Sequence, residues 1–370
     1  MYFKIRGGED AIKASHRLLA AKRRGDPQVP ELSVDQIAQQ MSLAVDRVMV
    51  EGGLYDRTLA ALAIKQSQGD VVEAAFLMRA TRATLERFGA SEPVDPGRMT
   101  VQRRISTTHK DIPGGQILGP TYDYTHRLLN FDTPTSEGLE DIADELAPLS
   151  EASSDLSLDV HALTGSDLIE VERDERDFSG DADHTGAKSR GSTDRAERLR
   201  KLANGDEGFL LGVAYSSMRG YGDTHGLAGE IRYGDVMVEL TVPELGIVVG
   251  VGEIELTECQ TLHPFMGSRD REPEFSRGYG LTFGQSERKA IAMAVIDRSL
   301  RGKEFEEEVK YPVQDEGFVL PHADGVSASG LVQVLKLPHY VHFQGHLQEL
   351  EALRARHRKQ DLAPSEEMKE

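Results

Sequence analysis

The chain has 370 residues, long enough for two or three hydrophobic cores, and its 39% hydrophobic content predicts that most of it folds. Its 62 acidic residues against 43 basic ones give a formal charge of -19, so DNA and an anionic membrane are excluded as partners of the whole surface and only a local basic cleft stays open. The single cysteine, Cys259, excludes an internal disulfide and any cysteine-rich zinc or iron–sulfur site built by this chain alone; with no base beside it in sequence, it reads as a buried thiol.

Residues 9–24 read as a helix with Ile12, Leu18 and Leu19 as its larger apolar residues. A second helix starts at Ser33, where Ser33 and Gln36 have capping-box spacing. Ile37, Met41, Ala44, Val45 and Val48 continue it as one apolar stripe, and Gly52-Gly53 ends it. Further helices are predicted over 56–67 and 71–88, the latter capped by Asp70. Residues 1–98 thus form a helical N-terminal domain. Residues 99–130, with IPGGQILGPTYDYTHRLL, read as a shaped loop leading into a short helix. Residues 131–195 are acidic and rich in Ser and Gly, which predicts a flexible insertion with some helix near 138–147.

Order resumes near residue 198. GDEGFLLGVAYSSMRGYG reads as a helix running into a glycine-rich loop. Two alternating runs, 235–242 and 252–259, predict neighbouring antiparallel strands. Residues 276–300 read as a glycine-rich loop, a cap at Ser286 and a helix. A last helix is expected over 343–357. The fold class is therefore α+β: the helical domain, then a mixed domain over 196–358 with an antiparallel sheet and glycine-rich loops, and a polar tail over 359–370. No signal peptide or membrane-spanning run is visible, which predicts a cytoplasmic protein.

Three groups of residues carry possible chemistry. His339, His342 and His346 fall within LKLPHYVHFQGH at spacings of about one helical turn. They could converge on zinc, or simply line a surface turn; there is no HExxH. The tetrapeptide RGYG occurs at 219–222 and 277–280, each time setting an arginine, Arg219 or Arg277, beside flexible backbone. Gly278 and Gly280 with Arg277, and Arg288 and Lys289 in the next helix, could grip phosphate oxygens; the alternative is a tight turn with a solvated arginine. No GxxxxGK[ST] phosphate loop is present. Asp123, His126, Asp206, Glu207, Asp223, His225 and Glu230 lie beside these loops and could serve a sugar cation or a water, or only cap helices and brace turns.

Five segments carry a resemblance: LSVDQIAQQMSLAVDRVMVEGGLYDR, KDIPGGQILGPTYDYTHRLL, GDEGFLLGVAYSSMRGYG, RGYGLTFGQSERKAIAMA and LKLPHYVHFQ. In order and length they resemble the PhnI subunit family of bacterial carbon–phosphorus lyase, over nearly the whole chain and least in 131–195. The resemblance implies phosphonate catabolism. A phosphonate replaces the adenine of ATP at the ribose anomeric carbon, giving a ribose 1-phosphonate 5-triphosphate. It also implies purine nucleosidase activity of the isolated subunit, and an assembly with PhnG, PhnH and PhnJ, with the iron–sulfur radical chemistry in PhnJ. In that reading Arg219, Arg277, Arg288 and Lys289 hold the triphosphate, with Mg2+ sharing the work. Asp223 or Glu230 faces the ribose, and His126 or His225 assists the departing base. The family's zinc-associated pair is spaced HxxxxH and ends in LPHY. His339 matches its second member, but Val334 stands at the first. His342, His346, His322 or a partner's side chain are the candidates for the missing ligand; loss of the site is the alternative. A mainly structural subunit with a composite site, and a metal-dependent hydrolase, are the competing readings.

Overall fold

The computed structural model describes residues 8–108, 115–129, 131, 168–170, 194–221, 226–336 and 340–361. The expected helix near 138–147 and most of the acidic segment lie outside these residues. The chain divides into two compact units, Met1–Val326 and Ser327–Glu370.

The first unit begins with helices. Helix α1 (Glu9–Arg24) places Glu9 and Asp10 in its first turn and Lys22, Arg23 and Arg24 in its last, as the helix dipole favours; none of its residues is buried. The expected helix from Ser33 to Gly52 is two helices, α2 (Val34–Gln40) and α3 (Ser42–Gly52). Met41, at φ -119° and ψ 37°, closes one and opens the other. The break re-aims α3, so that Val45, Val48 and Met49 are buried while Met41 stays 42% exposed. At the start of α2 the capping box of Ser33 and Gln36 is complete. Helix α4 (Arg57–Gln66) is capped by Asp56, and α5 (Val71–Arg82) by Asp70, which accepts from the amides of Val72 and Glu73. Helix α5 stops at Arg82, six residues short of the expected end. Helices α2 to α5 close a small apolar core of Ile37, Val45, Val48, Met49, Ala60, Ile64 and Met78.

The mixed part opens with strand β1 (Thr100–Ser106), in a region expected to be loop. The described stretch 115–129 is irregular, with Ile117 bridging to Arg104, and lacks the expected short helix. Helices α6 (Arg195–Ala203) and α7 (Glu207–Ser216) follow, and α7 winds into a π turn at Ser217–Tyr221. Strands β2 (Leu227–Val242), β3 (Ile247–Phe265) and β4 (Glu274–Phe283) complete an antiparallel sheet of order β1-β2-β3-β4. The expected strands at 235–242 and 252–259 are real but extend well beyond those bounds. The second RGYG is not a loop: it lies inside β4, and Ser286 precedes the next helix without a side-chain capping bond.

Helix α8 (Glu287–Leu300) crosses one face of the sheet, packing Ala290 and Ala294 on Ile231 and Cys259. Gly278 and Gly280 permit that approach. A Cβ on Gly280 would lie 2.1 Å from the Ala290 carbonyl oxygen, and one on Gly278 2.0 Å from that of Ala294. Cys259 is a buried free thiol. On its outer side α8 contributes Met293, Ile296 and Leu300 to a second core with Leu202 of α6, Leu210 of α7 and Val319 and Leu320 of α9 (Glu316–His322).

The middle of the opposite face is polar, between small apolar clusters of Met99, Val236 and Leu256 at one end and of Ile169 and Leu262 at the other. Register sets Arg104 opposite Arg232, Arg232 opposite Glu258, Glu230 opposite Gln260, and Gln260 opposite Tyr279, so all share that face. Arg104 Nε donates to Glu230 at 2.6 Å, Arg232 Nη2 to Glu258 at 2.9 Å, and the Tyr279 hydroxyl to Glu258 at 2.8 Å. Burial, only partly offset by Arg232, raises the Glu258 carboxyl above its ordinary range. Helix α10 (Gly325–Leu335) begins at the end of the first unit, and α11 (Tyr340–Asp361), longer than the expected 343–357, forms most of the second. Among the described residues no helix is long and apolar enough to cross a membrane.

Candidate functional site

Charged groups from distant parts of the chain gather around the N-terminal end of α8. The turn Gly284–Ser286 leads into it from β4. Gly284 has φ +59°, and a Cβ there would meet Asp46 Cγ at 2.4 Å. The close approach lets the Gln285 amide donate to Asp46 Oδ2 at 3.1 Å. The Ser286 amide donates to Thr257 Oγ1 at 3.0 Å, and the Gln285 side chain to the Pro120 carbonyl at 3.1 Å. The bundle, the sheet and the loop after β1 therefore all fix one turn.

Arg103 secures that loop. Its buried guanidinium donates to Glu287, to the Leu118 carbonyl and to Asp123. The loop displays Tyr122, Tyr124 and His126, all exposed. Behind the turn, Arg57 Nη1 donates to Asp46 at 2.8 Å and to Glu255 at 2.6 Å. Burial pushes the Asp46 carboxyl up to about 6, outweighing the pull of Arg57 and the Gln285 amide. On the same side of α3, Arg47 donates to Glu51 at 2.8 Å and to Asp206 at 2.9 Å, and the Glu207 amide donates to Glu51 at 3.0 Å. Arg288 Nη2 reaches Glu207 at 2.9 Å. Lys289 is fully enclosed, its amine has no hydrogen-bond partner among the described residues, and burial pulls it down to about 8.

Asp46 has a measurable signature. A carboxyl raised from 3.8 to about 6 contributes stability that is complete below pH 3.8 and is lost as pH rises through 6. The stability of the native chain relative to an Asp46→Asn variant should fall between pH 4 and 6, by on the order of 3 kcal/mol, and stay flat above. Urea unfolding of both proteins across that range measures it; parallel curves would remove Asp46 as the titrating group.

Of the residues singled out in the sequence, Arg288, Lys289, Asp206 and Glu207 meet here, and the loop bearing Asp123 and His126 is tied to the same helix end. Others lie elsewhere. Glu230 is enclosed in the sheet beside Arg104. The Arg277 side chain donates to Gln260 while its amide donates to Glu170. Arg219, exposed on the π turn, donates to the Tyr215 hydroxyl at 2.6 Å. Asp223, His225 and His339 lie outside the described residues. His322 stacks on Phe318 at 4.8 Å, its Nδ1 2.6 Å from the Phe318 carbonyl. His342 and His346 are exposed on α11, with His346 3.7 Å from Glu349. Among the described residues no group of three or more His, Cys, Asp or Glu side chains could hold a metal. Asp46, Arg47, Glu51, Arg57, Arg103 and Glu255 escaped the sequence reading. Their one signal is that Asp46, Arg47 and Glu51 interrupt an otherwise apolar helix, LAVDRVMVEG.

Comparison with known proteins agrees over the full length. The chain is 50% identical to the alpha-D-ribose 1-methylphosphonate 5-triphosphate synthase subunit PhnI of Rhizobium meliloti (strain 1021), over 370 residues that cover 100% of this chain and 99% of the relative. It is 51% identical to the protein of the same name from Escherichia coli (strain K12), over 356 residues covering 95% and 98%. A putative C-P lyase subunit protein, HtxH of Stutzerimonas stutzeri, is 39% identical over 385 residues covering 99% and 98%. The family model for the bacterial phosphonate metabolism protein PhnI matches residues 1–357, and the chain belongs to that family.

Proposed function

We propose that the chain is the ATP-handling subunit of a ribose 1-phosphonate 5-triphosphate synthase in phosphonate catabolism. The observation that carries this is half identity, over essentially complete chains, to two relatives that bear the synthase name. The bond from the ribose anomeric carbon to the adenine nitrogen breaks, its electron pair leaves with the base, and a phosphonate oxygen forms the new bond. Water in that place makes the isolated chain a purine nucleosidase. The transition state carries positive charge on the sugar. The chain must therefore hold the triphosphate, favour the sugar cation and ease departure of the base.

Arg288 and Arg219 are exposed, which suits them to contact the triphosphate. Arg277 is engaged by Gln260 within β4, and Gly278 and Gly280 serve the close packing of α8 on the sheet. Asp223 is assigned to the ribose, since Glu230 is engaged by Arg104; His126 or His225 meets the base. Mg2+, when bound to the phosphates, supplies further positive charge. The described residues do not make a zinc site, so no step is routed through zinc. PhnG-, PhnH- and PhnJ-like subunits complete the cytoplasmic assembly. The existing pairing of Arg57, Arg47 and Arg288 with carboxylates supports a second reading, in which the site becomes competent only with those partners.

Free adenine released from ATP, by the chain alone and with its partners plus methylphosphonate, tests the reading. Release should fall at least about tenfold in Arg288→Ala, with most of the loss in KM. No adenine from either preparation would overturn it; adenine only from the assembly would select the composite site.

A further inference from the structure

Helix α8 is 14 residues long, and its N-terminal end carries the partial positive charge that suits phosphate. The two cations of its first turn are both withheld. Arg288 is 72% exposed, yet its guanidinium rests on the Glu207 carboxylate. Lys289 is 0% exposed, and its amine lies among charges without a hydrogen bond to any of them. Those acting on it are Glu51 and Arg47 from α3, Glu207 at the start of α7 and Asp206, which caps that helix. Glu51 also accepts from the Glu207 amide at the head of α7 and so takes a position an anion would use. A lysine kept only for structure would be expected to point its amine at one of these carboxylates. This one is desolvated and unspent.

We propose that the N-terminal end of α8 is a polyphosphate site held shut by the carboxylates of Glu51 and Glu207, and that opening it frees Arg288 and uncovers Lys289 for a triphosphate. The proposal rests on the nucleotide reading above and adds its regulation. Opening is physically accessible because α3 and α7 belong to separate apolar cores. What joins them here is polar: Arg47 to Asp206 and the Glu207 amide to Glu51. Parting them exposes charged groups to water and leaves both cores closed. A bound triphosphate then replaces Glu207 on Arg288 and gives Lys289 the acceptors it lacks.

Calorimetric titration of the full chain with ATP and, separately, with sodium tripolyphosphate tests this. Glu207→Gln and Glu51→Gln keep an acceptor oxygen but remove the competing charge. Each should tighten tripolyphosphate binding about tenfold or more, and adding Lys289→Met should cancel the gain. Unchanged or weaker binding in both folded variants overturns the closed site. The native protein provides a readout that needs no variant: on adding tripolyphosphate, hydrogen exchange should quicken in residues 48–52 and 207–210 and slow in 287–290. No change in any of the three segments also overturns it. If tripolyphosphate binding tightens but ATP neither binds nor loses adenine, the closed site stands and the nucleotide reading fails. Adenine release with equal affinity in all variants gives the reverse.

Discussion

Replacing Gly280 with alanine should destabilise the protein by at least about 3 kcal/mol, read as a lower midpoint of urea unfolding. The added methyl would meet the Ala290 carbonyl oxygen at 2.1 Å, far inside contact distance, and that oxygen belongs to a helix backbone. Relief requires α8 to lift from the sheet. Lifting would loosen its alanines from Ile231 and Cys259 on one side and strain the core of Met293, Ile296 and Leu300 on the other. In open surroundings the same substitution favours the fold, because alanine restricts the unfolded chain. Gly212 in α7 provides that contrast, since nothing lies within 4 Å of its Cβ position. Gly212→Ala should gain up to about 1 kcal/mol. A Gly280→Ala protein as stable as the native one would mean that α8 does not sit this close to β4.

Arg104→Met should cost about 3 kcal/mol, because it leaves the enclosed Glu230 carboxylate without its principal partner. The range for breaking a buried pair reaches about 5 kcal/mol, but Arg232 at 3.9 Å still balances part of the charge, which favours the lower end. The double change Arg104→Met with Glu230→Leu should recover most of the loss, since an apolar pair of similar volume has no charge to desolvate. Chemical denaturation of the native protein and the two variants at one pH measures the recovery. Equal losses in the single and double variants would show that shape, and not charge, decides the cost.

Much of the helical part was legible because its signals are local. Ser33 with Gln36, and Asp70 ahead of Val71, mark helix starts within four residues of chain. The strands were legible only where apolar residues alternate, at Val236 to Val242 and at Ile254 and Leu256. β1, β4 and the first half of β2 carry arginines, glutamates and glycines at buried positions, a pattern that reads as loop when judged by hydrophobicity. Its sense emerges only after pairing, when Arg104 meets a glutamate more than a hundred residues away. The candidate site divides in the same way. Arg288 and Lys289 stood out beside a glycine-rich segment, but Asp46, Glu51 and Arg57 sit in helices far up the chain, and nothing local ties them to α8.

The charged face of the sheet also bears on how its strands align. Side chains alternate across a strand, so a slip of one residue would turn Arg104 and Arg232 toward the alanines of α8 and set valine or isoleucine among the carboxylates. An all-apolar strand could tolerate such a slip with modest loss; this one cannot, because two guanidinium groups would face the alanines of α8, which cannot receive them. The ion pairs thus work as a key for correct strand alignment, and selection on these positions should favour complementary exchanges of both partners over changes in one.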